Sequence, residues 1–221
     1  QGRAAPSPPR GGQAKWQSHI CLRNPIKARA SPAAHDAATM NTTVLLHPTP
    51  GAGFESPFEM LAACHERVAR MLGLLQRLQA HLQTTGHADT PAAEAARDVM
   101  RYFDLAAPHH HQDEERHIFP ALRDTADPAL IALADTLQAD HHLMHEAWQA
   151  LRPTLAELSQ GNWPVAAAAT VFKQWQAFQV LYQAHARRED ELAYPAAQAC
   201  LGAAQRQAMG EEMARRRGVR A

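Results

Sequence analysis

The sequence predicts an all-α protein: an antiparallel up-down-up-down four-helix bundle built from two helical-hairpin repeats, with a short extra C-terminal helix. Three observations predict it. Four helix-start signals follow one another after residue 55, apolar residues recur behind each at spacings of three and four, and the connections are short enough to make neighbouring helices antiparallel.

The first helix is expected over 57–84, because Ser56-Pro57-Phe58-Glu59 reads as a capping box with proline at the first helical position, and Gly86 follows as a stop. The second, 91–124, starts from Thr90-Pro91, and the third, 128–160, from Asp127-Pro128 with Gly161 beyond its end. Asn162-Trp163-Pro164 opens the fourth, 164–199, and a fifth helix of about 203–216 is expected to pack across the bundle end. Residues 1–55 are rich in Pro, Gly, Ala and Ser with no sustained apolar period, so they read as a disordered N-terminal extension to a domain of 56–221. Met40 is a candidate natural start, in which case the preceding residues stand outside the fold.

Each helix has one apolar stripe with polar intruders. On the first it runs Leu61, His65, Val68, Leu72, Leu75, and on the second Val99, Phe103, Ala106, His110, Glu114, Ile118. The third carries Leu130, Leu133, Leu137, His141, Met144, Trp148, Leu151, and the fourth Trp175, Phe178, Leu181, His185, Glu189, Leu192. Every stripe contains a histidine. Pro108 and Pro153 fall inside helices, and Pro108 is open to two readings, a kink that aims nearby side chains or a neutral interruption.

Composition excludes several classes. Lys plus Arg equals Asp plus Glu at 22 each, so no global field draws the chain to nucleic acid or anionic lipid. The basic cluster Arg215, Arg216, Arg217 and Arg220 reads as a solvated tail or helix-end group. No apolar run approaches the ~20 residues of a membrane span and no leader is recognisable, so the expected location is cytoplasmic. Cys21, Cys64 and Cys200 form no C-x-x-C pair, which argues against a disulfide framework or a thiolate zinc site. No nucleophile–base pair, phosphate loop or dinucleotide fingerprint is present.

The intruders repeat. Segments 110–120 and 185–195 align at a shift of 75 residues, matching His110 with His185, Glu114 with Glu189, Glu115 with Asp190 and Phe119-Pro120 with Tyr194-Pro195. His65 precedes His110 by 45 residues and His141 precedes His185 by 44, so each hairpin supplies a His from its first helix and H-x-x-x-E from its second. A separation of four puts imidazole and carboxylate one turn apart on one helical face. Left unpaired in a dry core such groups cost several kcal/mol each, and a pair of cations removes that cost. Mixed His/carboxylate ligation suits iron, manganese or zinc. Singly, a His on an apolar face is usually a hydrogen-bonded core residue; four at matching levels are not.

The doubled H-x-x-x-E-[ED]-x-x-x-[FY]-P pattern resembles the hemerythrin-like HHE cation-binding domains, over about residues 57–217. The resemblance implies a non-haem di-iron centre, two Fe ions, with ligands His65, His110, Glu114, His141, His185 and Glu189, the two glutamates bridging. His141-x-x-x-His145 looks like the paired third-helix histidines of oxygen carriers, which adds His145. Those carriers place the fourth-helix carboxylate five residues after the histidine, at Asp190 here; Glu189 aligns better on a regular helix. The implied function is binding or sensing of dioxygen or nitric oxide, the alternatives being redox or iron-repair activity under oxidative and nitrosative stress, or a metal store. Tyr102 and Tyr182 are candidate tyrosines near the centre, His111 and His117 candidate outer partners of the ligands, and Cys64 is expected to point off the ligand face as a packed thiol.

Overall fold

Proline stands in the first turn of three of the five helices. In the computed structural model, which describes residues 53–219, helix α1 (Pro57–Thr85) starts on Pro57 and α3 (Pro128–Ser159) on Pro128, while α2 (90–123) has Pro91 in its first turn. These are the positions where proline loses no helix hydrogen bond. Helix α4 (168–200) follows a single 3-10 turn, Val165–Ala167, and α5 (Ala203–Arg216) follows Gly202. No strand occurs among the described residues, and no helix among them is long and apolar enough to cross a membrane. The expectations placed on residues 1–52 and on Arg220 lie outside the described residues.

Three start signals act differently from expectation. Asp89, not Thr90, caps α2 by accepting from the Ala92 N–H at 3.0 Å, and it holds His81 Nε2 at 2.9 Å as well. Ser56 makes no side-chain cap, and Asn162 caps nothing because the regular helix begins only at Ala168. Asp127 does cap α3, accepting from the Ala129 N–H at 2.8 Å. Gly86 stops α1 in the left-handed conformation, φ 71°, where a side chain would be strained.

Helix α1 packs on α2 and α4, α2 packs on α3, α3 on α4, and α5 lies against α1. Gly210 lets α5 approach closely, since a Cβ there would sit 1.8 Å from the Phe54 carbonyl oxygen. The core is divided. One apolar cluster gathers Leu72, Leu75, Phe103, Trp148, Trp175 and Phe178; the other gathers Phe58, Leu61, Ile118, Phe119, Leu137 and Met213. The buried polar residues belong to neither cluster.

Three stretches of α2 and α4 are wound as π turns, Tyr102–Ala106, Glu114–Ile118 and Glu189–Ala193. A proline follows two residues after each: Pro108, Pro120 and Pro195. Proline has no N–H and its ring collides with the carbonyl four residues back. The residue before each proline instead bonds five back, Ala107 to Tyr102, Phe119 to Glu114 and Tyr194 to Glu189, which widens the turn. Pro108 is thus not a neutral interruption: it stands with a widened turn. At two of the three the extra residue slips the buried stripe by one: Ala107 is buried where Ala106 was expected, and Ala193 where Leu192, 52% exposed, was expected, whereas Ile118 is buried as expected. Pro153 in α3 has no such turn.

Candidate metal centre

Two groups of donors meet between α1, α2, α3 and α4. His65, His110, Glu114 and Glu189 form one, Glu114, His141, His185 and Glu189 the other; within each group the donor atoms all lie within 4.8 Å of one another. All six residues are buried, and both glutamates are wholly so. His110 and His185 stand on regular helix one turn before their glutamates, and each glutamate opens a π turn. His110 Nε2 is 3.2 Å from Glu114 Oε1, and His185 Nε2 is 3.0 Å from Glu189 Oε1. Across the interior, His65 Nε2 lies 3.1 Å from Glu189 Oε2, and His141 Nε2 lies 3.4 Å from Glu114 Oε2.

The outer ring nitrogens set the chemistry of the inner ones. His65 Nδ1 is 2.9 Å from Asp190, His141 Nδ1 is 2.8 Å from Glu115 and His185 Nδ1 is 3.2 Å from Asp140. A carboxylate only accepts, so each Nδ1 donates, and each neutral ring turns an Nε2 lone pair inward. His141 and His185 then face each other at 3.2 Å with two acceptors and no proton between them. Both oxygens of Glu189 and Oε2 of Glu114 are buried without a hydrogen bond. Lone pairs converging from nitrogen and carboxylate donors in a dry layer suit a cation pair, and the residues present fit one.

Without a cation, protons take its place. Burial lowers the pKa of His65, but contacts with Asp190 and Glu189 outweigh it and push it up to about 10; His141 goes up to about 9 through Glu114 and Glu115 against the same burial penalty. Glu189, which burial would raise, is brought down to about 2 by His185 and His65. His110 has burial and neighbouring histidines against its charged form and only Glu114 for it, and falls to about 3. Tyr194, raised far above its ordinary range by burial and by Glu114 and Glu189, keeps its proton. Its hydroxyl donates to Glu114 Oε1 and lies 3.2 Å from His65 Nε2.

The structure brings together His65, His110, Glu114, His141, His185 and Glu189. It does not bring His145 to them: one turn beyond His141, that side chain is exposed and bonds Gln149 at 2.7 Å, because the third-helix face has already turned outward. Asp190, 48% exposed, stands behind His65 on its Nδ1 side and not among the donors. His111 stacks on His141 with ring centroids 4.0 Å apart, whereas His117 bonds Glu212 of α5 at 2.8 Å. Tyr102 donates to the Cys64 carbonyl at 3.3 Å and Tyr182 packs on Phe103 and Phe178. The tyrosine that touches the centre is Tyr194, which the repeat pairs with Phe119. Asp140 and the pairing of Glu115 with His141 were also missed, although Asp140 directly precedes a ligand and Glu115 aligns with Asp190.

Of the C-terminal arginines, Arg215 is exposed at the helix end, whereas Arg216 and Arg217 are paired. Arg216 and Arg217 each reach 2.6 Å from Asp113, a fully buried carboxylate adjacent to Glu114. Arg216 is held in turn by Glu212 at 2.9 Å.

A helical bundle with two buried histidine/carboxylate groups sharing both carboxylates defines a metal-cation-binding protein. Residues 56–213 match the family described as Hemerythrin HHE cation binding domain, and the chain belongs to that family. It is also similar to an uncharacterized protein of Haemophilus influenzae, 37% identical over 114 residues, which are 52% of this chain and 65% of that relative. The match thus spans somewhat less than two thirds of the relative's length.

Proposed function

We propose that the chain folds as an antiparallel up-down-up-down bundle, holds two iron ions, and uses them to bind or sense dioxygen or nitric oxide. The observation that carries this reading is the count of donors. Each group offers four, with Glu114 and Glu189 belonging to both. Four donors complete a tetrahedral zinc site, whereas iron or manganese, which accept six, would keep positions free for a small ligand. Iron, when bound, supplies the redox-active and ligand-binding chemistry. The chain's own residues orient the imidazoles through Asp190, Glu115 and Asp140, hold Glu114, which belongs to both donor groups, through the Tyr194 hydroxyl, and keep water out with the two apolar clusters.

A cavity of about 290 Å³ between α2, α3 and α4 supports access for a small, weakly polar ligand. Phe103, Met144, Trp148 and Tyr182 line it, and so does His111, which stacks on His141. The test is an absorption spectrum of iron-loaded protein kept anaerobic and then exposed to dioxygen or nitric oxide. A new band that is stable and reversed by removing the gas is expected. No band, with turnover of hydrogen peroxide or iron transfer to an apo-cluster instead, would favour the repair reading.

A further inference from the structure

The two hairpins anchor their histidines in the same way at three rings out of four. Asp190, Glu115 and Asp140 hold Nδ1 of His65, His141 and His185. His110 has no counterpart: its ring is 3% exposed, and its Nδ1 is buried without a hydrogen-bond partner. The repeat says where that partner belongs. Asp140 immediately precedes the first ligand of its hairpin, His141, and reaches the second, His185. Cys64 immediately precedes His65 in the other hairpin, where the second ligand is His110. A thiol ends where the carboxyl carbon of an aspartate would stand, one bond short of an oxygen, and the Cys64 sulfur contacts Arg67 at 3.7 Å instead. The asymmetry extends outward. Arg188 supports Asp140 at 2.8 Å, while the position 75 residues earlier is the acid Asp113, which takes its arginines from α5.

We infer that the two metal positions are unequal: His141 and His185 hold a divalent first-row cation tightly, His65 and His110 hold the second weakly and exchangeably, and Cys64 in place of a carboxylate sets the difference. The inference rests on the dinuclear reading above. An imidazole whose outer nitrogen is unanchored can tip, and is less basic toward a metal. Losing such an outer partner typically costs about 10- to 100-fold in affinity.

The test is an anaerobic calorimetric and absorption titration of the metal-free full chain with cobalt(II). Two steps are expected, the second weaker by about 10-fold or more. Cys64→Asp should tighten the second step by roughly 10-fold and leave the first alone, whereas Asp140→Ala should loosen the first until the steps converge. Cys64→Asn supplies an acceptor without charge if an aspartate beside Asp113 prevents folding. Among single-position chains, His110→Ala should retain the tight step and His185→Ala the weak one. Two steps of equal affinity, or an Asp140→Ala chain that keeps the original separation, would overturn this inference alone. One cobalt per chain in the unmodified protein would overturn the dinuclear reading and the inference with it.

Discussion

Glu114 and Glu189 each belong to both donor groups, so removing either carboxylate takes a ligand from two positions at once. Glu114→Ala or Glu189→Ala is expected to bring bound iron below one ion per chain by elemental analysis, while His145→Ala leaves it unchanged. Protonation is the second handle at this scale. His65 and His141, at about 10 and 9 in the metal-free fold against an ordinary 6.5, stabilise that fold fully below 6.5 and lose the contribution as pH rises through 9–10. His110, at about 3, works oppositely: between pH 3 and 6.5 the unfolded chain takes a proton that the buried ring refuses, so stability rises with pH there. Urea melts of metal-free protein should therefore find greatest stability near pH 6.5; stability still climbing from 6.5 to 9 would contradict the charge states described. Metal must displace the His65 and His141 protons, so affinity should increase over the same alkaline range. The six converging residues were legible because their spacing repeats. Asp140, Glu115 and Tyr194 were not, since their roles depend on which neighbouring helix they reach, and spacing along one helix does not say.

Helix limits were read closely from capping residues, Pro and Gly, with Asp89 and Ala168 the main revisions. The π turns were not foreseen. A stripe drawn at 3.6 residues per turn has no room for an extra residue, so Ala106 and Leu192 were placed inside and Ala107 and Ala193 are there instead. The visible signal was proline inside a helical pattern, yet Pro153 shows that proline alone does not decide it. Of the two readings of the arginine cluster the helix-end one holds, but its pairing was not legible for a related reason: a charge run does not name its partner, here the buried Asp113, until the neighbouring helix is placed beside it. Replacing Arg216 and Arg217 together by Ala would leave that carboxylate buried and unpaired, at a cost of roughly 3–5 kcal/mol. Denaturant melts should show that loss. A change under about 1 kcal/mol, the size typical of exposed pairs, would mean that α5 is not clamped as described.

The polar layer separates two apolar clusters, each large enough to keep the helices associated when the layer is empty. Metal removal is expected to leave a helical but looser molecule. At a free-metal concentration about 100 times the dissociation constant, binding adds about 2.7 kcal/mol. For a domain of this size that corresponds to a rise in Tm of roughly 5–10 °C, at about 2–4 °C per kcal/mol. Circular dichroism melts with and without iron would show it, and an unchanged Tm after verified metal removal would mean that the cluster is not coupled to folding. The most direct test of the central claim is the number of ferrous ions bound per full chain at saturation, measured by anaerobic equilibrium dialysis against excess free iron. Sharing of Glu114 and Glu189 between two donor groups predicts about two ions per chain; one ion, or none, would contradict it.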